Sequence, residues 1–314
     1  MRRLISTKFK SGIFIAVSVF VISFIVIPSP TTRAAQATID LGAAASFAIL
    51  SGTPNITDAG NTSVINGDVG LSPATGAGIG LLCSQVTGTI YSVDATGPLP
   101  CRVTNGPLLV IAKNNLTNAY TTAANRIPVT TVPTELGGTT LVSGVYSAAS
   151  TTFGITAGAG ALTLNGQGDP SSVFIFEAGF SGTGLNVGPG STVSLINGAQ
   201  ACNVFWRVDT ASINTTASFV GSVLALNSIS VTNGATINGR LLARNGSVTL
   251  VNDTITTPIC AGNDSSNNTP VSTPTPSFPN TGIFSGLNLV VIAPLVVLAT
   301  LFVLAVIARK KHLL

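Results

Sequence analysis

The apolar positions between residues 136 and 259 fall into short alternating runs. At 161–164, 193–196 and 248–250, apolar residues alternate with Thr, Ser or Asn, which is the period of a half-buried strand. Turn dipeptides separate the runs: Asn165-Gly166, Asn197-Gly198, Asn233-Gly234, Asn238-Gly239 and Asn245-Gly246. Short strands with such frequent turns fit either a sandwich or a β-solenoid. Because long hairpin arms are missing, the pattern favours a solenoid, in which stacked coils share one continuous core.

One segment has a different period. Residues 107–126 place apolar side chains three and four positions apart, namely Leu109, Ala112, Leu116, Ala119, Tyr120 and Ala123. This spacing predicts an amphipathic helix with one apolar stripe. Pro107 suits the first turn of the helix, and Pro128 marks its end. We expect the helix to lie along one side of the solenoid.

The charge distribution excludes several classes of protein. Of fourteen basic residues, eight lie before residue 38 or after residue 308, which leaves six against all ten acidic residues in between. This mildly acidic body gives no support for nucleic-acid binding. The one histidine is His312, so the body has no imidazole for a catalytic triad or a metal site. Its carboxylates are scattered in sequence, and we therefore expect no enzyme, no cofactor and no metal.

The N-terminus predicts a secretory signal peptide over residues 1–37. Four basic residues precede the apolar run at 13–27, and Ala35-Gln36-Ala37 fits the rule of small residues around a cleavage site. Thr38 is then the first residue of the mature chain. The alternative is an uncleaved membrane anchor, although fifteen residues are few for a membrane span.

The C-terminus resembles the cell-wall sorting signal of Gram-positive surface proteins. Residues 262–277 form a linker rich in Ser, Thr, Pro and Asn, and the sorting signal occupies residues 278–314. Its motif is Phe278-Pro279-Asn280-Thr281-Gly282. A span at 283–308 and a basic tail follow, and the positive charge favours a cytoplasmic end.

The resemblance implies that a sortase cleaves after Thr281 and joins that residue to peptidoglycan. The family usually has Leu where this chain has Phe278. The alternative is a plain single-pass membrane anchor. In both cases the body of the protein lies outside the cell, which predicts a secreted, surface-tethered protein of a Gram-positive bacterium.

The body, residues 38–261, resembles the bacterial and fungal β-helical ice-binding proteins. The motifs that carry the resemblance are residues 41–52, 65–73, 166–170, 196–206 and 239–246. The resemblance implies a mainly β fold, an irregular right-handed parallel β-helix of triangular section. It also implies one long α-helix packed alongside and a first segment that joins the far coils. Terminal signal and transmembrane helices would complete the chain.

In that family, ice is bound by one flat, regular face of the β-helix. Because side chains alternate across a strand, the inward apolar residues identify outward candidates. These are Thr152, Thr156, Thr183, Asn186, Ser212, Asn214, Thr216, Ser230 and Thr232. Thr183 to Asn186 also resembles a T-G-x-N motif of some members. The alternative is a cell-wall adhesin or structural surface protein, since Thr and Ser also suit exposed strand positions generally.

Four cysteines in an oxidising compartment indicate disulfides. Three pairings are possible, and we predict Cys83–Cys101 together with Cys202–Cys260. The first bridge would close the loop before the helix, and the second would tie the last segment to the solenoid. The alternative is buried free thiols.

Overall fold

The computed structural model describes residues 36–178, 182 and 184–261. The predicted linker, the sorting signal and the signal peptide, apart from the last two residues of the latter, lie outside these residues. One α-helix is described, α1 (Gly106–Ala124). The strands are β1 (Phe47–Ser51), β2 (Ile56–Asp58), β3 (Val64–Asn66), β4 (Asp68–Leu71), β5 (Ile79–Gly80), β6 (Ile90–Ser92), β7 (Arg102–Thr104), β8 (Val129–Val132), β9 (Thr140–Val142), β10 (Gly144–Ala148), β11 (Phe153–Ile155), β12 (Leu162–Asn165), β13 (Phe174–Ala178), β14 (Gly184–Val187), β15 (Val193–Ile196), β16 (Val204–Val208), β17 (Thr210–Ile213), β18 (Ser218–Ala225), β19 (Ile229–Val231), β20 (Thr236–Ala243), β21 (Val248–Leu250) and β22 (Thr254–Thr256).

The chain winds through three sheets in turn, and the strand pairs that the described residues form are parallel. β10, β11 and β12 make one coil, and β13, β14 and β15 stack on them in register. The helix-side sheet runs β7-β6-β4-β1-β20-β18-β16-β13-β10-β8, and the second sheet runs β11-β14-β17-β19-β21-β2-β5. This arrangement confirms the mainly β fold with stacked parallel coils.

The third side of the solenoid is not one continuous sheet, unlike the other two sides. It begins with β9, β12 and β15 and continues through the first halves of the long strands β18 and β20. β22 and β3 complete it. Because β18 and β20 are eight residues long, each bends from the third side into the helix-side sheet without a turn.

The first segment stacks on the last coil rather than on the first. β1 lies between β20 and β4, while β2 lies between β21 and β5. α1 then carries the chain back along the stack to β8, and its nineteen residues span about 28 Å. The expectation that the first segment joins the far coils is therefore confirmed.

The helix begins one residue earlier than predicted and ends two residues earlier. It begins at Gly106 because the side chain of Asn105 accepts a hydrogen bond from the backbone N–H of Leu108 at 3.1 Å. Its predicted apolar stripe is buried against a row of leucines on the helix-side sheet, Leu50, Leu242 and Leu224. This packing confirms that the helix covers one side of the solenoid.

The interior of the solenoid is filled by the inward row of each strand. Trp206 is fully buried, and its ring stacks on Phe176 with centroids 3.8 Å apart. Its indole N–H donates to the carbonyl of Val220 at 3.0 Å, so the one polar atom of the side chain is satisfied. Because side chains alternate across a strand, burial of the inward residues makes the residues between them point outward.

Both predicted disulfides, Cys83–Cys101 and Cys202–Cys260, are formed. The second joins residues 58 apart and ties the end of the described chain to the start of β16. Within the described ranges, no helix has the length and apolar composition that a membrane span requires. The predicted span at 283–308 lies outside those ranges.

Candidate functional site

The outward side of the second sheet carries a row of small residues. Each strand buries the residues on either side of one outward position, as Leu185 and Val187 flank Asn186. Register places the outward positions next to one another across seven strands. This middle row is Gly154, Asn186, Ser212, Ser230, Thr249, Thr57 and Gly80.

Two further rows flank the middle row, because side chains two positions apart along a strand share a face. The row before it contains Thr152, Gly184, Thr210, Ser228, Ser247 and Asn55. The row after it contains Thr156, Gly188, Asn214, Thr232, Val251 and Ala59. Neighbours within a row are about 4.7–4.9 Å apart, and rows are about 6.6–6.8 Å apart. We call these three rows the second-sheet grid.

Side-chain hydrogen bonds restrain the amides and hydroxyls of the grid. The Asn214 amide N–H₂ donates to the side-chain oxygen of Asn186 at 3.1 Å and to the Val187 carbonyl at 2.7 Å. The hydroxyls of Thr215 and Thr232 lie 3.4 Å apart. These contacts join neighbouring coils and orient the side chains of Asn186, Asn214 and Thr232.

The grid is free of ionisable side chains, and a carboxylate marks one end of it. Glu135 pairs with Gly154 beyond the last strand and accepts hydrogen bonds from both the hydroxyl and the backbone N–H of Thr156. Burial by itself raises the pKa of Glu135, but the bonds from Thr156 and Gly137 outweigh it and lower that pKa. The charge therefore lies at the edge of the grid, beside β11.

A shallow depression interrupts the grid near the same end. At Gly184 a Cβ would come within 2.0 Å of the Thr210 carbonyl oxygen, so only glycine fits there. Beside this glycine lies a depression of about 380 Å³, lined among others by Thr152, Asn186 and Ser228. The most continuous part of the grid therefore lies on β17, β19, β21 and β2.

The structure brings most of the predicted residues together. Asn186, Ser212 and Ser230 lie in the middle row, and the flanking rows hold Thr152, Thr156, Asn214 and Thr232. Thr183 lies outside the described residues.

Thr216 is the exception among the predicted residues, because it lies in a turn rather than on a strand. β17 ends at Ile213, and Thr216 has a φ of 57°. Its backbone N–H donates to the carbonyl of Asn233 in the turn of the next coil at 3.1 Å. The prediction of an outward strand position for Thr216 is therefore wrong, since it extended the alternation past the end of the strand.

Several positions of the second-sheet grid are absent from the sequence prediction, among them Thr249 and Thr57. Thr249 follows the same alternation as its neighbours in Val248-Thr249-Leu250, and Thr57 follows it in β2. The alternation could have identified both as outward residues. It could not have placed them side by side, because 192 positions of sequence separate two residues that pair directly in the sheet.

Among the described residues, no group of three or more His, Cys, Asp or Glu side chains is placed to hold a metal ion.

Comparison with known proteins identifies the class. The model of the Ice-binding-like family matches residues 49–256. An ice-binding protein of Colwellia sp is 43% identical over 224 residues, which cover 70% of this chain and 84% of that protein. One of Flavobacterium frigoris is 40% identical over 224 residues, covering 70% and 76%. The chain belongs to the Ice-binding-like family.

Solved structures agree with this assignment. The crystal structure of an ice binding protein from an Antarctic biological consortium has a TM-score of 0.60 at 34% identity and covers 73% of this chain and 96% of that one. The DUF3494 domain of Shewanella frigidimarina ice-binding protein 1 has a TM-score of 0.63 at 30% identity, covering 72% and 100%. This chain therefore shares its overall fold with solved ice-binding proteins.

Proposed function

We propose that this protein binds ice through the second-sheet grid. The observation that carries the proposal is the register of β17, β19, β21 and β2, which aligns small hydroxyl, amide and methyl groups over four successive coils. Relatives named as ice-binding proteins share the fold and up to 43% of aligned positions. The grid offers ice a regular surface without any ionisable group.

The physical basis is the repeat of the array. Stacked strands repeat at about 4.7–4.9 Å, so the hydroxyls and amides form a two-dimensional lattice. Such a lattice can hold water in an ice-like arrangement, while the threonine methyls discourage competing hydration. Because many weak contacts act together, adsorption to a crystal is effectively irreversible and stops its local growth.

The centre of the face consists of Ser212, Ser230, Thr249 and Thr57 in this proposal. Asn214 and Thr232 extend it toward the turns, and Asn186 lies beside the depression. Thr156 donates hydrogen bonds to the carboxylate of Glu135, which holds hydration water strongly, and Thr152 directly precedes the same edge strand, β11. We therefore assign the edge near β11 a smaller share of the binding than the centre.

We also propose that the protein is exported and held at the cell surface. The signal-like residues 1–37 and the Thr281–Gly282 motif before the apolar run at 283–308 support this location. Two disulfides within the described residues also suit an oxidising compartment. A sortase and peptidoglycan are the partners that the motif implies. At the surface, the protein would hold the cell to ice or shape ice beside it.

Thermal hysteresis and inhibition of ice recrystallisation by the full-length chain test the proposal. We expect activity in both assays, with faceted ice crystals. A chain that is folded by circular dichroism but inactive in both assays would contradict the proposal. That outcome would favour the second class of function, a surface adhesin or structural wall protein on the same scaffold.

A further inference from the structure

A cleft lies between the N-terminal segment and the end of the described chain. Residues 38–41, which precede β1, line it together with residues 258–260, which follow β22. The helix-side sheet contributes Phe205 of β16 and Arg240 of β20, which register places on either side of Ser222 in β18. The cleft has a volume of about 390 Å³, and we call it the Arg240 cleft.

The guanidinium of Arg240 is a buried charge without a carboxylate partner. The residue is only 8% exposed. Its Nε–H donates to the carbonyl of Ala45 at 2.8 Å, and its Nη1 donates to the hydroxyl of Ser222 at 3.3 Å. Both acceptors are neutral, and no carboxylate among the described residues forms an ion pair with Arg240. Because buried charges in proteins are ordinarily paired, this arrangement leaves one positive charge uncompensated.

Arg240 also keeps unused hydrogen-bond donors. Burial lowers the pKa of its guanidinium to about 10, which leaves the group charged at neutral pH. Nη2 carries two N–H donors, and the described part of the chain provides no acceptor for them. Because Arg240 lines the cleft, an anion that enters can accept these hydrogen bonds and supply the missing negative charge.

The other residues of the Arg240 cleft restrict the charge and size of the anion. Ile39, Leu41, Phe205 and Ile259 line the cleft, so a ligand with an apolar body beside its anionic group buries that body against them. Asp40 also lines the cleft and repels a second negative charge, which favours a monoanion over phosphate. The volume lies at the low end of small-molecule sites, which span about 300–1,000 Å³.

We propose that the Arg240 cleft binds a carboxylate with a short apolar body, either a branched aliphatic acid or the carboxyl end of a peptide that terminates in an apolar residue. The guanidinium binds the carboxylate, since its N–H donors match a carboxylate in charge and geometry. The apolar residues of the cleft bind the body. This function goes beyond ice binding and does not depend on it, because the cleft shares no residue with the second-sheet grid.

Covalent and hydrogen bonds hold both sides of the cleft in place. The Cys202–Cys260 disulfide ties residues 258–260 to the start of β16. On the opposite side, the hydroxyl of Thr38 donates to the side-chain oxygen of Asn203 at 3.1 Å. Because these bonds fix the walls before a ligand enters, binding costs little conformational entropy of the protein.

Ligand-observed NMR titration of the full-length chain at low ionic strength tests the site. The probes are N-acetyl-leucine, which resembles a peptide carboxyl end, isocaproate, a free acid with the same branched end, and N-acetyl-leucinamide, the uncharged counterpart of the first. We expect both acids to bind and the amide to bind at least about tenfold more weakly, because it lacks the charge-assisted hydrogen bonds to Arg240. Tighter binding of N-acetyl-leucine would indicate peptide ends, tighter binding of isocaproate would indicate free acids, and either order supports the site.

Substitutions locate the binding in the cleft. Arg240→Gln should weaken both acids at least about tenfold. Asp40→Asn should tighten them by about two- to fivefold, the range for a pair of partly exposed charges. Ile259→Asp adds a carboxylate at a position that is 88% exposed and should weaken them, while Leu99→Asp, 72% exposed and outside the cleft, is the matched control. If Arg240→Gln unfolds, as its thermal transition would show, the opposite shifts of Asp40→Asn and Ile259→Asp still test the site.

Several results would overturn the proposal. Equal affinity for the amide and the acids, or tighter binding of inorganic phosphate than of either acid, would mean that the cleft does not recognise a monocarboxylate. Equal affinities of the wild type, Asp40→Asn and Ile259→Asp would place the binding elsewhere. Absence of binding overturns it too, and binding only after Asp264→Asn would mean that the chain's own linker carboxylate occupies the cleft. Thermal hysteresis should be unchanged in every folded variant, so failure of this site and failure of ice binding are separate results.

Discussion

At the scale of single residues, Asp58 shows how the first segment is fixed to the last coil. The residue is 7% exposed. Its carboxylate accepts hydrogen bonds from the backbone N–H and hydroxyl of Ser63, the amide of Gln85 and the backbone N–H of Asn252. Burial alone raises the pKa of Asp58, but these bonds outweigh it and hold the pKa below the usual 3.8. The carboxylate therefore stays ionised and joins three segments of chain.

Asp58→Asn should lower the free energy of unfolding by about 1–3 kcal/mol at pH 7, because it leaves buried donors without an acceptor. The folded pKa lies below the unfolded value, so this stabilisation is present above about pH 4 and is lost as the pH falls through the folded pKa. Urea unfolding at several pH values measures it. The exposed Asp40→Asn is the control, and a difference that stays constant from pH 7 to pH 3 would contradict the account.

At the scale of elements, α1 decides which side of the solenoid is unavailable to ice. Its stripe of Leu109, Ala112 and Leu116 packs against leucines that point outward from the helix-side sheet. Without the helix, that row would be exposed apolar surface. The helix therefore contributes stability, while the second-sheet grid, the proposed ice-binding surface, lies on a side that it does not cover.

Leu116→Ala should therefore separate stability from ice binding. Leu116 is fully buried between helix and sheet, so its truncation should cost about 2–5 kcal/mol of unfolding free energy. Ice capture well below the unfolding temperature should be unchanged, because the second-sheet grid stays intact. Chemical denaturation and ice capture of the same samples measure the two effects, with Thr122→Ala as the exposed control. Loss of ice capture in a folded Leu116→Ala protein would contradict the claim that α1 stabilises the fold without taking part in ice binding.

The sequence predicts where individual strands and the helix lie better than it predicts which strands pair with one another. The alternation at 161–164 and 248–250 identifies strands, and the spacing of Leu109 and Leu116 identifies the helix within two residues. Local period suffices for both, because each depends on which side of an element is buried. The end of β17 was missed at Thr216, since a threonine in a left-handed turn gives no such signal.

At the scale of the whole molecule, the face depends on stacking that local sequence does not specify. Ser230 and Thr249 lie on coils that are consecutive in the chain, but Thr57 reaches the same row only because β2 stacks on β21. The alternation of apolar and polar residues predicts which way each side chain points, but it does not predict which coil stacks on which. The resemblance to the ice-binding proteins supplied that information, and the registers of the second sheet agree with it.

The central claim is that ice is bound by the second-sheet grid. Thermal hysteresis of full-length Ser230→Tyr tests it most directly, with Thr122→Tyr, at an exposed position of α1, as the control. A tyrosine at Ser230 projects from the centre of the second-sheet grid and keeps ice away from Ser212 and Thr249. The account predicts a clear loss of hysteresis for Ser230→Tyr at an unchanged unfolding temperature, while Thr122→Tyr retains the wild-type value. Wild-type hysteresis in a folded Ser230→Tyr protein would contradict the claim that ice is bound by the second-sheet grid.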